Sequence, residues 1–566
     1  PGEEDSEQRT QQLASILEAE AQQQQAQERL AISLQLREQL QELNPNINNL
    51  LKLLELFVQT HQFQPELIQE WQFIENLQAV SQEEVDQEQL QKTIILILSE
   101  VPIKETEEVL TLTAELVESK SNFLEQVLVI AANYTFQKNR TDIGIKLAEI
   151  CFQIKPDFRK AIKKLSAFYT RAHQHQAAIA KARQFQSFCQ TLPEKIEGNT
   201  FLINSLLRAG AWSQVTELMV SYKEIIKQLI DNSSQGITTE SHDALPPAIF
   251  YLDYLADDAQ ENRLLQNEVM RLFDYFLPNR DLSITYTKKE QHLNINRPLR
   301  IGYIGHTFRK NPVGWLCRWL VQNHHRDAFH VTLYLVYQHE DELTRGFIEN
   351  VDQVRRFDYN ERAIAQQIID DEIDILVDLD SLTVTPTCRT LCYRVAPIQL
   401  TWLGWDASGL PNMDYYLADP YVLPEKAQDY YHETIWRLPS TYVAVKGFEV
   451  GIPSVKREDL DIPESAIVYF SSQGAFKRHP DTVRLQMRIL KAVPNSYFLI
   501  KGKSDHDLIQ DFFQEIAEAE GVNPNRLRFL PWSPNEFIHR ANLGIADVVL
   551  DTYPYNGATT TLETLW

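Results

Sequence analysis

The hydrophobic pattern changes at about residue 296, and this change constrains the fold more than any other feature. From about residue 46 to residue 280, the chain has the pattern of helices of roughly 10–18 residues with short breaks. Beyond residue 296, short apolar runs alternate with helical stretches such as 361–370, 480–492 and 506–519. Such alternation predicts parallel sheets covered by helices on both faces.

The strand-like runs form two sets, which a turn-rich segment near Gly447, Gly451 and Pro453 separates. The first set is "PLRIGYIG", "FHVTLYLVY", "IDILVDLD", "PIQLTWLG" and "DYYLAD"; the second is "AIVYFSS", "SYFLIKG", "RLRFLPW" and "DVVLDTY". They predict two Rossmann-like domains, at 297–455 and 456–566. Ligands bind such sheets at the carboxyl ends of the strands, where the strand order reverses.

The part before these domains is predicted to be helical. Residues 1–45 are polar and rich in Gln, and indicate an N-terminal helical segment. Within 46–290, small turns recur about every 35–37 residues, at Gln137, Ala172 and Arg208, which is typical of tetratricopeptide-like repeats. An irregular all-helical array is the alternative. Stacked helix pairs of either kind offer a surface for proteins or peptides.

Composition excludes several classes of function. The net charge of −24 argues against nucleic-acid binding, which needs a basic face. The apolar runs are too short to cross a bilayer, and the first thirty residues do not have the pattern of a signal peptide. The five cysteines lack zinc-ligand spacing. We therefore expect a cytoplasmic protein with reduced thiols and neither membrane nor nucleic-acid partners.

The end of the chain, "VLDTYPYNGATTTLETLW", combines a strand with a loop that leads into a helix. Gly557 permits a left-handed conformation or a close backbone approach. Thr559, Thr560 and Thr561 put hydroxyls beside the unpaired N–H groups of the first helical turn, which is typical of a diphosphate site. Thr560 and Glu563 also have capping-box spacing, so simple capping remains the alternative.

A second loop, "YFSSQGAFKRHPDT" at 469–482, places Lys477, Arg478 and His479 between a strand and a helix. A lysine there can neutralise a phosphate leaving group. Two such loops in one domain favour an anion site over a solvated helix flank.

A third loop, "GYIGHTFRKNPVGWL", contains His306 and lacks the dinucleotide-binding glycine pattern. A single histidine is more often structural than catalytic. "DLD" at 378–380 is a weak metal signal, and we predict no metal site.

These segments resemble the O-GlcNAc transferase and SPINDLY family over 297–566. The resemblance rests on "GYIGHTFRKNPVGWL", "APIQLTWLGWDASGLPNMDYYLAD", "FKRHPDTVRLQMRILKAVPNSYFLIKG" and "RLRFLPWSPNEFIHRANLGIADVVLDTYPYNGATTTLETLW". It implies a tetratricopeptide superhelix ahead of a GT-B pair of Rossmann-like domains. Family domains have further strand–helix units, so we expect the second one to be truncated here.

The resemblance also implies a donor site. Lys477, Thr559 and Thr560 match positions that hold the donor diphosphate, with Thr561 and Gly557 beside them. The other matching positions are Gln473 and His539 in the donor site, Trp532 and Ser533 at the nucleobase, and Glu563 at the ribose.

The resemblance finally implies an inverting, metal-independent transferase that moves GlcNAc from UDP-GlcNAc to Ser or Thr of proteins. The helical array would present the acceptor, and a homodimer is possible for such arrays. Lys477 would stabilise the leaving group, and His306 is the side chain best placed to act as base. Asn311 and Ala558 depart from the family pattern. A fucosyltransferase using GDP-fucose and a non-catalytic scaffold are therefore the alternatives.

Overall fold

A computed structural model describes residues 2–232, 237–278, 280, 281, 283, 284 and 297–566. The chain divides into two compact units, Pro1–Phe185 and Gln186–Trp566. The predicted boundary between the helical array and the first Rossmann-like domain, at 291–296, lies outside the described residues. The four predicted domain ranges stay predictions.

The first unit is helical, as its sequence pattern indicates. Its helices are α1 (Gly2–Ala26), α2 (Leu30–Leu43), α3 (Ile47–Gln59), α4 (Leu67–Glu70), α5 (Phe73–Ala79), α6 (Gln87–Glu100), α7 (Thr106–Leu116), α8 (Lys120–Phe136), α9 (Thr141–Ile154), α10 (Arg159–Arg171) and α11 (His175–Ser187), which crosses into the second unit. Apolar residues of α3, α6, α8 and α9 form one continuous buried core. Burial of this apolar surface is the main force that holds the helices together.

The second unit starts with more helices. They are α12 (Leu192–Ala209), α13 (Trp212–Asp231), α14 (Thr239–His242), α15 (Leu245–Phe250), α16 (Leu252–Leu255) and α17 (Ala259–Tyr275). α12 begins with a capping box between Thr191 and Glu194. It ends at Gly210, whose left-handed φ of 91° allows the chain to turn sharply into α13.

The first sheet contains seven parallel strands in the order β3-β2-β1-β4-β5-β6-β7. The strands are β1 (Leu299–Gly305), β2 (Phe329–Val336), β3 (Gln353–Phe357), β4 (Ile375–Asp378), β5 (Ile398–Thr401), β6 (Tyr415–Ala418) and β7 (Thr434–Arg437), and the helices between them are α18 (Pro312–Gln322), α19 (Glu342–Ile348), α20 (Glu361–Asp370) and α21 (Thr385–Leu391). The strand order reverses between β1 and β4, which is where open sheets of this kind bind ligands.

The sequence pattern missed two of these strands, β3 and β7. Both lie at the edges of the sheet, and both keep polar or exposed positions along their length. Edge strands are covered on fewer sides than central strands, so they lack the continuous apolar run that predicts a buried strand.

The second sheet contains four parallel strands in the order β10-β9-β8-β11. Its strands are β8 (Ile467–Ser471), β9 (Ser496–Lys501), β10 (Leu527–Leu530) and β11 (Val548–Val549), and its helices are α22 (Pro480–Ala492), α23 (His506–Ala519), α24 (Glu536–Leu543) and α25 (Thr559–Leu565). The predicted fold class, helices followed by two parallel α/β domains, is confirmed. Of the helices in the described ranges, none has both the length and the apolar character needed to span a bilayer.

Candidate functional site

Two loops leave the second sheet at the same edge because β8 and β11 are parallel neighbours. One loop follows Ser471 at the end of β8, and the other follows Val549 at the end of β11. The carboxyl ends of parallel strands lie together at one edge of a sheet. The structure therefore brings together the two loops that the sequence predicted to bind an anion.

The side chain of Lys477 crosses from the first loop to the second. Its Nζ donates a hydrogen bond to the backbone carbonyl of Asn556 at 2.9 Å and lies 5.0 Å from the centroid of the Tyr555 ring. Burial lowers the pKa of Lys477 to about 8, although the carboxylate of Asp551 acts in the opposite direction. The ammonium group thus contacts the residue that immediately precedes Gly557.

Asp551, which the sequence analysis did not single out, organises the second loop. Its Oδ1 accepts hydrogen bonds from the backbone N–H of Gly557 at 2.8 Å and from Nε2 of Gln473 at 3.2 Å. Its Oδ2 accepts one from Oγ1 of Thr561 at 3.0 Å. The only sequence signal was a carboxylate just after a strand, and such carboxylates are common. Asp551 thereby brings three of the predicted donor-site residues to one point.

Gly557 is needed there because the backbone approaches its neighbours closely. A Cβ atom at this position would lie 2.5 Å from Nε2 of Gln473 and 2.5 Å from Oγ1 of Thr561. Its φ is outside the left-handed region. Of the two predicted reasons for a glycine, close approach is therefore the one that applies.

The helix α25 begins at Thr559, and its N-cap residue Ala558 provides no side-chain hydrogen bond. The predicted capping box between Thr560 and Glu563 does not form. The carboxylate of Glu563 instead accepts a hydrogen bond from Nε of Arg540 at 2.7 Å. The alternative that these threonines only cap the helix is therefore wrong.

The ion pair between Arg540 and Glu563 is almost fully buried, with 1% and 7% of the two side chains exposed. Burial raises the pKa of Glu563, and the hydrogen bond and charge of Arg540 oppose this rise. Arg540 also donates to the backbone carbonyl of Glu449 at 3.0 Å, and Thr559 donates to that of Pro312 at 3.2 Å. Glu563 therefore has a protein partner already, and its contact with a donor ribose stays a prediction.

Three further predicted donor-site residues lie around Lys501, at the end of β9. Nζ of Lys501 is 2.6 Å from Oγ of Ser533 and 2.8 Å from Nδ1 of His539. Burial lowers the pKa of Lys501 to about 8. Burial, together with the positive charge of Lys501, lowers the pKa of His539 to about 4. Trp532 is 63% exposed, and the ammonium group of Lys503 lies 4.7 Å from the centroid of its ring.

Arg478 and His479 have structural roles, although they belong to the same basic cluster as Lys477 in the sequence. Arg478 is buried, and its Nη2 donates to the backbone carbonyls of Ser471, Gln473 and Lys501 at 3.2, 2.9 and 2.8 Å. Burial lowers the pKa of Arg478 to about 9. The side chain of His479 caps α22. Of the three basic residues, only Lys477 contacts the second loop through its charged group.

His306 lies at the end of β1, beside the reversal of strand order in the first sheet. Its Nδ1 is 2.9 Å from the backbone carbonyl of Val336, so Nδ1 carries the proton. Its Nε2 then accepts a hydrogen bond from Nη2 of Arg309 at 2.9 Å. Burial lowers the pKa of His306. The residue also lines a cavity of about 460 Å³, together with Tyr359 and Arg389.

The two carboxylates of "DLD" are fully buried and serve the backbone. Asp380 accepts from the backbone N–H of His306 at 2.8 Å and from Oγ1 of Thr387 at 2.9 Å. Asp378 accepts from the backbone N–H groups of Asp380 and Ser381. Burial raises the pKa of Asp378 to about 6 and that of Asp380 to about 7. In the described part of the chain, no three His, Cys, Asp or Glu side chains cluster so as to hold a metal ion.

The sequence matches the family model described as glycosyl transferase family 41 over residues 281–451 and 445–566. SPINDLY of Solanum lycopersicum, described as a probable UDP-N-acetylglucosamine–peptide N-acetylglucosaminyltransferase, is 28% identical over 288 residues, which are 50% of this chain and 31% of that protein. SEC of Arabidopsis thaliana, with the same description, is 30% identical over 281 residues, which are 47% of this chain and 28% of that protein. This chain therefore spans less than a third of the length of these relatives.

The structure is similar to that of a Thermobaculum terrenum O-GlcNAc transferase mutant, with a TM-score of 0.65. The similarity covers 80% of this chain and 82% of that chain at 22% sequence identity. At this identity the similarity supports the fold: helices ahead of two parallel α/β domains.

Proposed function

The chain belongs to glycosyl transferase family 41, and on that premise we propose that it transfers a sugar from a nucleotide-sugar donor to Ser or Thr hydroxyls of proteins. The observation that carries this proposal is that Lys477 contacts the loop around Gly557 at one edge of the second sheet. A partly buried ammonium group and backbone N–H groups at a helix start suit a diphosphate.

In the proposed reaction, an acceptor hydroxyl oxygen forms a bond to the anomeric carbon while the bond from that carbon to the diphosphate breaks. The hydroxyl proton passes to a base, and the nucleoside diphosphate leaves with the electron pair. Lys477 holds the oxygens on which negative charge develops, so its charge stabilises the transition state more than the ground state. Thr559, Thr560 and Thr561 hold the same diphosphate, and metal independence is part of the proposal.

His306 is the proposed base, and its environment sets a condition on that role. Its lowered pKa keeps the imidazole neutral near pH 7, which a base requires. Its Nε2 lone pair, however, accepts the hydrogen bond from Arg309. His306 can therefore take a proton only after Arg309 has moved, and the donor phosphate is the alternative acceptor of the proton.

UDP-GlcNAc is the proposed donor, because the relatives named above carry that donor in their descriptions. GDP-fucose is the second candidate. The family resemblance favours it, because the loop with Ala558 and Glu563 is closer to the SPINDLY side of the family, whose plant members use GDP-fucose although their description names UDP-N-acetylglucosamine.

Calorimetric titration of the chain with UDP-GlcNAc and with GDP-fucose tests the proposal. We expect binding of one donor, and we expect Lys477→Ala to weaken it about 30-fold, because a charge-assisted hydrogen bond to phosphate is lost. The matched control is Lys491→Ala, which removes an exposed lysine from α22 of the same domain and should leave the affinity unchanged.

A folded sample that binds neither donor would overturn the proposal and favour a non-catalytic scaffold. Asn311 is the residue that points toward that outcome, since its side chain is used to cap α18, with Oδ1 accepting from the N–H of Val313 at 3.0 Å.

The partners remain part of the proposal. Acceptor proteins or peptides would be held by the helical array, with no nucleic acid or membrane partner. Homodimerisation and a cytoplasmic location also stay predictions.

A further inference from the structure

The turn between α12 and α13 packs directly against the loop that contains Lys477. A Cβ atom at Gly210 would lie 2.9 Å from Cδ1 of Ile509 and 3.7 Å from Cβ of Ala475. The backbone carbonyl of Ala209 accepts a hydrogen bond from the N–H of Asp505 at 3.1 Å. The helices α12 to α17, here called the helical segment of the second unit, are therefore in close van der Waals and hydrogen-bond contact with the second α/β domain at this point.

Trp212, the first residue of α13, is bonded to the same loop. Its side chain is 1% exposed, and its indole Nε1 donates to the backbone carbonyl of Ala475 at 2.8 Å. Its ring also meets the ring of His479 edge-on, with centroids 5.6 Å apart. Trp212 thus contacts the loop on both sides of Lys477, two residues before it and two residues after it.

Tyr254, in α16, packs against one residue of each of the two loops. Its ring stacks on the ring of Tyr555 at 4.0 Å with an interplanar angle of 13°. It also meets the ring of Phe476, the residue before Lys477, at 5.4 Å. The ring of Tyr555 is in turn the one over which the ammonium group of Lys477 lies. One helical residue therefore supports both loops that meet at Lys477.

We propose that Trp212 and Tyr254 are positioning residues, which hold the two loops so that the ammonium group of Lys477 lies beside the loop around Gly557. The proposal rests on the proposed function, because it assigns the helical segment a share in the affinity for the donor diphosphate. It makes the helices of the second unit part of the donor site, in addition to their proposed role toward acceptor proteins.

The physical reason is the flexibility of lysine. Its side chain has four rotatable carbon–carbon bonds, and ordering it when a ligand binds costs conformational entropy. A lysine that is already held by one aromatic ring, that of Tyr555, and by the carbonyl of Asn556 has lost that freedom before the ligand arrives, so the ligand binds more tightly. Neither aromatic residue needs to touch the donor for this effect.

Packing without function is the competing explanation, and the two make different predictions for matched variants. Trp212→Phe keeps most of the ring and removes the hydrogen bond to Ala475. Tyr254→Leu removes the ring that stacks on Tyr555, whereas Tyr254→Phe keeps it. Tyr222→Phe is the control, because Tyr222 is equally buried in α13 and bonds to Thr200 and Ala248, within the helical segment.

The experiment is calorimetric titration of each variant of the 566-residue chain with UDP and with GDP, with the thermal unfolding midpoint measured in parallel. We expect Trp212→Phe and Tyr254→Leu to weaken nucleotide binding about fivefold each, as for loss of one ordinary interaction. Tyr254→Phe should keep the affinity of the wild type. Tyr222→Phe should lower the unfolding midpoint and leave the affinity unchanged.

Wild-type affinity in both Trp212→Phe and Tyr254→Leu would overturn the inference. It would also be overturned if Tyr222→Phe lost affinity in proportion to its loss of stability. If Tyr254→Leu does not fold, Trp212→Phe alone decides, since it keeps an aromatic ring in the core and removes the N–H donor together with the five-membered ring of the indole. Failure of the proposed function has a different signature, because the wild-type chain would then bind neither UDP nor GDP.

Discussion

The buried charged side chains near the carboxyl ends of the two parallel sheets of the second unit differ in sign. The first sheet ends in two buried carboxylates, Asp378 and Asp380, which accept hydrogen bonds from backbone N–H groups and hydroxyls of their own domain. The second sheet ends near two lysines, the partly buried Lys477 and the buried Lys501, whose hydrogen-bond partners are a carbonyl, a hydroxyl and an imidazole. A charge that the protein satisfies itself supports the fold, whereas a cation without a carboxylate partner is suited to an anionic ligand.

Burial shifts the pKa values of these two sets of side chains in opposite directions. It raises the pKa values of the carboxylates of the first sheet and lowers those of the cations of the second, as desolvation disfavours every charged form. The consequences differ because a protonated carboxyl group remains a useful hydrogen-bond donor, whereas a lysine that loses its proton can no longer hold a phosphate. The following predictions test this difference.

The largest effect is expected where a buried cation is paired with a buried carboxylate. Arg540→Ala leaves the carboxylate of Glu563 buried without its partner, and should lower the free energy of unfolding by about 3–5 kcal/mol, measured by urea denaturation. Arg484→Ala breaks an exposed pair with Asp481 and should change it by less than about 1 kcal/mol. Equal losses in the two variants would show that burial does not decide the strength of these pairs.

The carboxylates of the first sheet should make stability depend on pH. The pKa of Asp380 is about 7 in the folded protein and about 4 in an unfolded chain. Between these values the folded state binds the additional proton, so its contribution to stability falls as pH rises from about 4 to about 7. We compare the free energy of unfolding of the wild type with that of Asp380→Asn. The value for the wild type minus the value for the variant should therefore decrease by on the order of 1–3 kcal/mol between pH 4.5 and pH 7.5.

Urea denaturation at both pH values measures this difference, and Asp370→Asn, which changes an exposed carboxylate of α20, is the control. A difference between wild type and Asp380→Asn that stays constant with pH would contradict the raised pKa.

The cations of the second sheet should make ligand binding depend on pH in the alkaline range. With a pKa of about 8, Lys477 is protonated below that pH and loses its proton above it. The affinity for UDP or GDP should therefore be nearly constant between pH 6.5 and 7.5 and fall as pH rises through about 8, approaching tenfold per pH unit. Titrations in Lys477→Ala should lack this fall, and a fall that persists in the variant would assign it to another group, with Lys501 the first candidate.

The smallest effect concerns Asn311, one of the two departures from the family pattern. Its side chain caps α18, so Asn311→Ala should lower the free energy of unfolding by about 1 kcal/mol. Asn311→Ser should recover most of that loss, because serine caps helices equally well. If both variants lose donor affinity without losing stability, Asn311 acts on the ligand and not on the helix.

Much of the fold was predictable from local patterns. Three helices of the α/β part, α20, α22 and α23, begin and end where the sequence predicted. Two of them, α22 and α23, lie between clear strand signals. The strands of the second sheet were all predicted, since they are short apolar runs bounded by polar residues. The edge strands β3 and β7 were missed because partial exposure removes the apolar signal on which the prediction depends.

What the sequence determined by itself is the order of the elements, the fold class and the chemical character of the loops, including Lys477, Gly557 and the threonines. These follow from periodicity, turn residues and charge over a few neighbouring positions. Only the tertiary structure decided that Asp551 joins Gln473 to Gly557, that Arg540 engages Glu563, and that Trp212 and Tyr254 enclose the lysine loop. These partners lie from 23 positions apart, for Arg540 and Glu563, to 263 positions apart, for Trp212 and Ala475. They meet because parallel strands and packed helices place them side by side, and no local pattern records such a contact.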